Sequence, residues 1–382
     1  MNKRTIFSPI PIEEAIPLWN HLASTNSANP THAHNPHLFT FYTQYLKLTT
    51  YYLIIYNQNQ PIALLPLTSQ PSTSPSPLGS PAWLSGGVGF NRQQLFSLPH
   101  LSYGGICWLN ESHPDDESVL HKVSLLLDQT ALSAGFYRVD LEEAHLITEN
   151  SQAEIFPQIQ VRSILPVLKH TEQKKAVYWM TVENDPRQKM EAFSSNLRRK
   201  IKASGRKGVD VTLGGVELLK DFMPIYRQNL HRLGSPALGL DFFQHLLQAC
   251  KKEEAILAIA YHQGQPIGGG LWLSYSGFCE NTHFATLPKH NHLYTSYALH
   301  WAMIQHTQGR GDHTYSFGRS TTGSTVERFK TQWPVEVHPL YYNSTYPIAN
   351  RITSKTWLSK IWKHLPSFLV NTLGQHIAKR IY

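Results

Sequence analysis

The chain contains 382 residues, of which 41% are hydrophobic and 16% charged, which is typical of a folded protein and excludes a largely disordered one. Because a single hydrophobic core seldom serves so long a chain, the length predicts two domains and a shorter extension. The net charge of +8 is uneven: residues 1–160 hold 6 Lys+Arg and 12 Asp+Glu of the chain's 34 and 26, which leaves 28 and 14 for residues 161–382. An anionic partner is therefore expected at the C-terminal half.

The three cysteines indicate a reducing compartment. Cys107, Cys250 and Cys279 lie far apart without C-x-x-C spacing, so neither a disulfide framework nor a zinc site is expected. The N-terminal residues lack the apolar core of a signal peptide, and no apolar run approaches the ~18 residues of a membrane span. The sequence therefore predicts a cytoplasmic protein without a resident metal or permanently bound cofactor.

The N-terminal half shows helical and strand patterns in turn. Two apolar runs flank a polar turn at residues 57–60, which predicts a β-hairpin, and the Ser/Pro-rich residues 66–81 predict a loop. The predicted elements are a mainly helical region at 12–48, strands at 51–56 and 61–67, a helix at 118–134 and a strand at 136–141. His32, His34 and His37 have no acidic residue near them in the sequence, so no metal is predicted there.

Residues 191–211 are the most distinctive stretch of the chain. Phe193, Leu197 and Ile201 recur every four residues and predict a helix with one buried stripe, which the glycines at 205 and 208 can end. Between Ser195 and Val209 there are six cations and no acid: Arg198, Arg199, Lys200, Lys202, Arg206 and Lys207. Phosphate would relieve their mutual repulsion, so Arg198, Arg199 and Lys202 are predicted to bind substrate. A solvated basic face and an RNA-binding surface are the alternatives.

The order of hairpin, helix and strand recurs in the C-terminal half. The repeated elements are strands at 255–261 and 266–275, a helix at 293–308 and a strand at 313–317. The same order twice predicts a duplicated α/β domain, in which helices cover mixed sheets.

A glycine- and hydroxyl-rich turn follows at residues 318–325. It has Ser324 where a phosphate-binding P-loop needs lysine, and Thr322 where a nucleophile elbow needs glycine, so neither site is predicted. The backbone amides of such a turn can bind an anion together with Arg319 and Lys330. The turn is therefore predicted to be a phosphate- or oxyanion-binding site to which Thr321 and Thr322 contribute. An ordinary polar turn is the alternative.

The last residues form a basic tail at 346–382. No acid follows Glu336, and residues 350–382 contain six Lys and Arg. Apolar residues stand at helical spacing in this tail: Trp357, Leu358, Ile361, Trp362 and Leu365. This combination is typical of an interfacial helix and predicts peripheral contact with the inner face of a membrane. Packing of the tryptophan face on the second domain is the alternative.

Three segments together resemble a known family. They read N-L-R-R-K-I-K-A-S-G-R-K-G-V at 196–209, R-L-G-S-P at 232–236 and F-G-R-S-T-T-G-S-T-V-E-R-F-K at 317–330. The chain resembles the FemAB-type acyltransferases with paired GNAT-like domains. It is most similar to the branch associated with exosortase and exopolysaccharide loci, also described as having a BioF-like acetyltransferase domain. Two positions depart from that pattern: Ser316, where an acid is usual, and Pro334, where a glycine usually follows the tryptophan.

The resemblance implies the domain layout and the reaction. We expect a GNAT-like domain at 1–160, a GNAT-like acyltransferase domain at 161–345 that includes the basic helix 191–208, and a helical tail at 346–382. The implied reaction transfers an acyl or aminoacyl group from acyl-CoA or aminoacyl-tRNA to an amine of a phosphate-bearing cell-envelope or exopolysaccharide precursor. Residues 288–293 correspond to the pyrophosphate loop of acyl-CoA enzymes but lack glycine, which disfavours acyl-CoA.

The catalytic residues expected in this setting are Arg319, Ser320, Lys330 and, as a general base, His283, with Glu280 as the rival base. His283 as a core histidine is the alternative. Strand-like alternation predicts that Phe329 points into the core and Lys330 into the cleft. Two other functions are left open: an acyl-CoA-dependent N-acyltransferase acting on an amino sugar, and a non-catalytic protein that binds RNA or tRNA.

Overall fold

The computed structural model describes residues 7–25, 28–71, 93–111, 114–130, 132–142, 158–182, 190–345 and 356–379. One mixed β-sheet runs through both halves of the chain, in the order β1-β6-β2-β3-β4-β7-β14-β8-β13-β12-β11-β10-β9, with β5 beside β3. The strands are β1 Phe7–Ile10, β2 Thr49–Asn57, β3 Gln60–Pro71, β4 Gln93–Phe96, β5 Cys107–Trp108, β6 Gly135–Asp140, β7 Gln158–Ser163, β8 His170–Thr181, β9 Val209–Gly214, β10 Ala255–His262, β11 Gln265–Tyr275, β12 Phe278–Thr286, β13 Thr314–Thr321 and β14 Glu336–Ser344.

Helices cover both faces of this sheet, as the fold class predicted. They are α1 Ile12–Ala23, α2 Leu38–Thr40, α3 Asp116–Thr130, α4 Ser195–Arg206, α5 Leu219–Leu233, α6 Leu240–Ala249, α7 Thr295–Gly309, α8 Thr325–Lys330, α9 Thr356–His364 and α10 Ser367–Ala378. Short 3-10 turns stand at His32–His34, Val216–Leu218 and Pro288–Leu293, and a π-helical turn at Phe41–Tyr45.

The predicted hairpin of the N-terminal half is confirmed as β2 and β3, which pair in antiparallel fashion. The strand β3 continues to Pro71, so the prediction of a loop from residue 66 is wrong for residues 66–71. The strand β3 contains three prolines: Pro61 and Pro66 pair with Tyr56 and Tyr52 of β2, and Pro71 pairs with Gln93 of β4. A proline has no amide hydrogen to donate, so these positions contribute only acceptors to the sheet. Residues 72–81 of the predicted loop lie outside the described residues.

The predicted basic helix is confirmed as α4. The Ser194 hydroxyl caps its first turn by accepting from the amide of Leu197, at 3.3 Å. Phe193, Leu197 and Ile201 are all buried, so the apolar stripe anchors the helix as the spacing predicted. Gly208 adopts φ +75°, a left-handed conformation that lets the chain turn directly into β9.

The two halves repeat an order of elements but differ in strand pairing. In the first half, β6 follows the helix α3 and pairs in parallel with β2, a strand of the hairpin. In the second half, β13 follows α7 and pairs in parallel with β12, a third strand after the hairpin β10–β11. The order predicted from the sequence is thus confirmed, and the second half adds one strand beside its hairpin.

The strands β12 and β13 separate in the middle of the sheet. Their parallel pairing runs only from Phe278 and Thr314 to Glu280 and Ser316. Beyond Ser316 the strand β13 pairs with β8 alone, after a register shift that spans Gly318 at φ +70°. An opening between two diverging parallel strands leaves backbone groups without ladder partners, and ligands of α/β proteins commonly bind at such places.

The helical tail predicted from the sequence is confirmed as α9 and α10. Both helices lie on α5. An ion pair of 2.8 Å between Lys379 and Asp241 ties the end of α10 to α6. Within the described residues, no helix has the length and apolarity needed to cross a membrane.

Candidate active site at the separating strands

Lys330 occupies the opening between β12 and β13. Its ammonium donates hydrogen bonds to the carbonyl oxygens of Gly318, at 2.8 Å, and Arg319, at 3.1 Å. Only 6% of the residue is exposed, and its Nζ lies 5.2 Å from the centre of the Tyr178 ring. Desolvation lowers the pKa of Lys330 to about 7, although the carboxylate of Glu280 acts to raise it. Such a lysine changes charge near neutral pH, which suits proton transfer.

The sequence predicted the position of Lys330 for the wrong reason. Residues 325–330 form the helix α8 and not a strand, because the Ser324 hydroxyl caps the amide of Glu327 at 3.2 Å. In a helical turn the alternation of faces does not apply. Lys330 is buried, and Phe329 is partly exposed but packs against the core beside the Tyr297 ring, at 5.0 Å between ring centres.

Glu280 is completely buried beside this opening and joins the two halves of the chain. Its Oε2 accepts hydrogen bonds from the hydroxyls of Tyr103, at 2.6 Å, and Ser316, at 2.7 Å. The Ser316 hydroxyl oxygen also accepts from the amide of Gly318, at 3.1 Å. One hydrogen-bonded path therefore leads from Tyr103 of the N-terminal half, through Glu280, to the backbone that holds Lys330.

His32 approaches the same carboxyl group, with 3.7 Å between its Nε2 and Oε1 of Glu280. The sequence showed no acid near His32, and the fold supplies one from a distant strand. Burial lowers the pKa of His32 and the charge of Glu280 raises it. His34 instead bonds to the Gly105 carbonyl, and in the described part of the chain no three His, Cys, Asp or Glu side chains form a cluster fit for a metal.

Arg319 and Lys330 lie on opposite faces of the sheet. Arg319 pairs with Val177, and residues paired across antiparallel strands point to the same face. Val177 packs with Tyr103 of the N-terminal half, so this face is the junction between the halves. Tyr178 points the other way, and its ring lies beneath Lys330. The opening between β12 and β13 connects the two faces.

Arg319 stands in a group of cations that sequence reasoning missed. Its Nη1 donates to the Leu101 carbonyl at 3.2 Å, and Nη1 of Arg162 donates to the same oxygen at 2.7 Å. Lys175 and Tyr342 hydrogen-bond to each other nearby. Arg162 and Lys175 lie on strands remote from α4 in sequence. The only sequence signal for them was the excess of Lys and Arg over Asp and Glu in residues 161–382.

The remaining predicted catalytic residues have different surroundings. Ser320 is 6% exposed and its hydroxyl has no hydrogen-bond partner among the described residues. His283 lies on β12 against the rings of Phe243, at 5.1 Å, and Phe242, at 6.0 Å. Desolvation, followed by the charges of His100 and Arg319, lowers the pKa of His283 to about 3. The ring is therefore neutral at pH 7, where such a group is a weak base.

The turn at residues 321–324 uses part of its own hydrogen-bonding capacity. The Gly323 amide donates to the carboxylate of Glu327, whose other oxygen accepts from the Tyr178 hydroxyl at 2.9 Å. Thr321 and Thr322 are exposed. A phosphate bound by this turn would have to compete with Glu327 for the Gly323 amide.

The basic helix α4 lies apart from these residues. Arg198 is engaged by its own chain, donating to the carbonyls of Glu191 and Phe193 at 2.8 Å each. Arg199 and Lys202 are exposed. Lys200 connects α4 to the residues that follow α8, because its ammonium donates to the Gln332 side chain at 2.7 Å. No described hydrogen bond or ion pair joins Arg198, Arg199 or Lys202 to the residues around Lys330.

Comparison with known proteins shows what the chain and its fold are similar to. Residues 191–331 match the family described as acetyltransferase (GNAT) domain. Among solved structures, FemX superposes with a TM-score of 0.57 at 11% identity, covering 93% of this chain and 100% of that one. L-PGS from Bacillus licheniformis gives a TM-score of 0.44 at 12% identity, covering 97% and 99%. No curated protein sequence matches the chain. Residues 191–331 thus match a GNAT acetyltransferase domain, and the chain has a FemX-like fold.

Proposed function

We propose that the protein transfers an acyl or aminoacyl group to an amine of a phosphate-bearing cell-envelope or exopolysaccharide precursor. The observation that carries this proposal is the buried ammonium of Lys330 at the opening between β12 and β13. A fixed cation in a desolvated place stabilises a developing oxyanion far better than a cation in water does. The FemAB-type resemblance supports the choice of acceptor.

The reaction needs few covalent steps from the protein. The acceptor nitrogen attacks the donor carbonyl carbon, a C–N bond forms, and the bond to the sulfur of CoA or the ribose oxygen of tRNA breaks. The proton lost by the amine ends on the leaving sulfur or oxygen. Lys330, whose pKa is lowered to about 7 by burial, is suited both to hold the oxyanion and to supply that proton.

The other residues of the proposed site have binding roles. Arg319 would hold an anionic group of the acceptor on the junction face, and Arg198, Arg199 and Lys202 would contact the phosphates of the donor. Arg198 can do so only in part, because two backbone carbonyls already occupy its guanidinium. His283 would accept a proton only after a change in its surroundings, since its pKa lies at about 3.

A transfer assay with the full chain tests the function and the donor together. Amine-bearing nucleotide sugars and lipid-linked precursors are offered with acyl-CoA or with aminoacyl-tRNA, and the products are weighed by mass spectrometry. Release of free CoA thiol with an acylated sugar would favour the acyl-CoA route, and loss of label from tRNA would favour the aminoacyl route. If neither donor is turned over and the protein binds RNA with an affinity that falls steeply with salt, the protein is an RNA-binding protein and not a transferase.

We also propose that the C-terminal tail contacts an anionic membrane surface. The helix α10 turns Val370, Gly374 and Ala378 toward the protein. On its other side, Leu369, Leu373 and Ile377 are exposed by 36%, 47% and 41%. Exposed aliphatic residues beside the acid-free basic tail are the pattern of an interfacial helix.

Point variants test the membrane contact better than deletion, because α10 also packs on the protein. Replacing Leu373 and Ile377 by serine should abolish sedimentation with phosphatidylserine vesicles at low salt, since burial of both side chains supplies much of the binding energy. Leu213→Ser, at an exposed leucine on β9, is the matched control and should sediment like the wild type. Equal sedimentation of all three proteins would exclude the contact.

A further inference from the structure

The face between the two halves carries a group of cations on neighbouring strands. In the sheet, β7, β14, β8 and β13 lie side by side. Arg162 on β7 is paired directly with Tyr342 on β14, Lys175 stands on β8, and Arg319 stands on β13. Arg162 and Arg319 approach each other closely enough to donate to one carbonyl oxygen, that of Leu101.

Like charges at this distance repel one another. Desolvation, then the charge of Arg319, lowers the pKa of Arg162 to about 10, and the same two causes lower the pKa of Lys175. Burial alone would raise the pKa of Tyr342, but Arg319, Lys175 and Arg162 together lower it. Among the described residues, no carboxylate contributes to these shifts.

The three cations differ in how much of their hydrogen-bonding capacity the protein uses. Arg162 is buried, and it donates to the Leu98 and Leu101 carbonyls at 2.6 and 2.7 Å, so its structural role is to hold this loop. Arg319 and Lys175 are only partly buried. Their donors are left over for a partner that reaches the junction face from solvent.

We propose that Arg319 and Lys175, with Tyr342 and backed by Arg162, form a binding site for a phosphate or diphosphate group of the acceptor. The identification of the ligand as the acceptor rests on the proposed function, but the anion site itself does not. A guanidinium and an ammonium offer the directed donors and the charge that a phosphate dianion requires. The Lys175–Tyr342 hydrogen bond would orient the ammonium.

The site lies next to the proposed reacting centre. The carbonyl of Arg319 holds Lys330 from one face of the sheet, while the side chain of Arg319 points to the other. An acceptor anchored by its phosphate on the junction face would therefore present an amine at the opening, and the donor carbonyl would arrive from the Lys330 face. Such anchoring converts an encounter of two substrates into an oriented reaction.

Pyrophosphate binding to the full-length protein, measured by calorimetry at low salt without any donor, tests the site. Lys175→Met and Arg319→Met should each weaken binding at least tenfold, the scale for losing one charge-assisted contact. Lys220→Met, at an exposed lysine of α5 to which no binding role is assigned, should bind like the wild type. Thermal melts show whether each variant is folded, and Tyr342→Phe provides a milder change that should weaken binding less.

Absence of pyrophosphate binding to the wild type, or equal affinity in the wild type and both methionine variants, would overturn the site. A similar loss in Lys220→Met would show that pyrophosphate responds to surface charge in general, and it would overturn the site as well. Binding of a carboxylate probe such as citrate, without binding of pyrophosphate, would also contradict a phosphate site. This experiment measures binding and not turnover. If pyrophosphate binds but the transfer assay shows no activity, the proposed function is contradicted and the anion site is not.

Discussion

Two cation-rich regions of this molecule differ in almost every physical respect. On α4 the cations are consecutive and largely exposed, and water screens their interactions. Around the opening between β12 and β13, Arg162, Arg319 and Lys330 come from separate elements and are buried or partly buried. Desolvation shifts the pKa of Arg162 and Lys330. Burial, and not the number of charges, therefore separates a surface that attracts a polyanion from a site that can stabilise a transition state.

The largest effect that would sharpen this comparison is expected from Lys330→Met. Removing the ammonium should lower kcat by roughly 10²–10³-fold, the scale for losing one oxyanion donor. The variant also leaves the carbonyls of Gly318 and Arg319 without their donor, which costs about 1–3 kcal/mol of stability. Steady-state kinetics with a parallel thermal melt measure both effects.

Lys202→Met is the matched control for that substitution, since Lys202 is an exposed lysine of α4. It should leave kcat unchanged. A rise of KM without a fall of kcat in Lys330→Met would show that Lys330 only binds a substrate phosphate, and an unchanged kcat/KM would remove it from the site.

The backbone that shapes the junction should be intolerant of a side chain. Gly318 has φ +70°, and a Cβ there would lie 2.6 Å from the Asn281 carbonyl oxygen. Gly318→Ala should therefore destabilise the protein by about 2–4 kcal/mol in urea unfolding, through both strain and overlap. Gly323→Ala, at φ +81° with no atom within 4 Å, should cost only about 1 kcal/mol. Equal losses would mean that the close approach at Gly318 relaxes freely.

Some of this geometry was predictable and some was not. The stripe of Phe193, Leu197 and Ile201 fixed α4 because helical spacing is a local property of the sequence. By contrast, Arg162 and Tyr342 meet only because β14 returns beside β7, and no local pattern records that pairing. The same holds for Glu280, which receives Tyr103 from the other half of the chain.

The Lys330 region shows why a motif alone misleads about mechanism. The Lys330 ammonium does bond the Arg319 carbonyl, but the two side chains lie on opposite faces of the sheet. Sequence reasoning also assigned a strand where Ser324 starts a helix. It also could not show burial, which sets the pKa of Lys330. The predicted catalytic and substrate-binding roles themselves remain predictions.

A pH profile would show whether the two halves communicate through Glu280. If the ammonium of Lys330 is required, kcat should fall as pH rises through about 7. The carboxylate of Glu280 raises the pKa of Lys330, so in Glu280→Gln that pKa drops and the falling limb moves to lower pH. Glutamine can still accept from Tyr103 and Ser316. Glu336→Gln, at an exposed acid, is the control and should keep the wild-type pH profile. If kcat of Glu280→Gln falls at the same pH as that of the wild type, the two halves do not communicate through Glu280.

The smallest effect on the fold is expected at α4. Arg199→Glu with Lys202→Glu should leave the melting temperature within about 2 °C of the wild type, because exposed charges contribute little to stability. Affinity for tRNA should nevertheless fall and lose part of its salt dependence. Arg198→Ala, by contrast, frees two backbone carbonyls and should cost about 1 kcal/mol. Unchanged tRNA affinity in the double variant would leave α4 a solvated basic face.

The most direct measurement compares kcat of Lys330→Met with kcat of the Arg199→Glu, Lys202→Glu double variant in one transfer assay at saturating substrates. If catalysis takes place at the opening between β12 and β13 and α4 only attracts a polyanionic substrate, the first variant should be slower than the wild type by roughly 10²–10³-fold, and the second should stay within about threefold of it. The reverse order, with the α4 variant slow and Lys330→Met at wild-type speed, would place the chemistry at the basic helix and contradict catalysis at the opening.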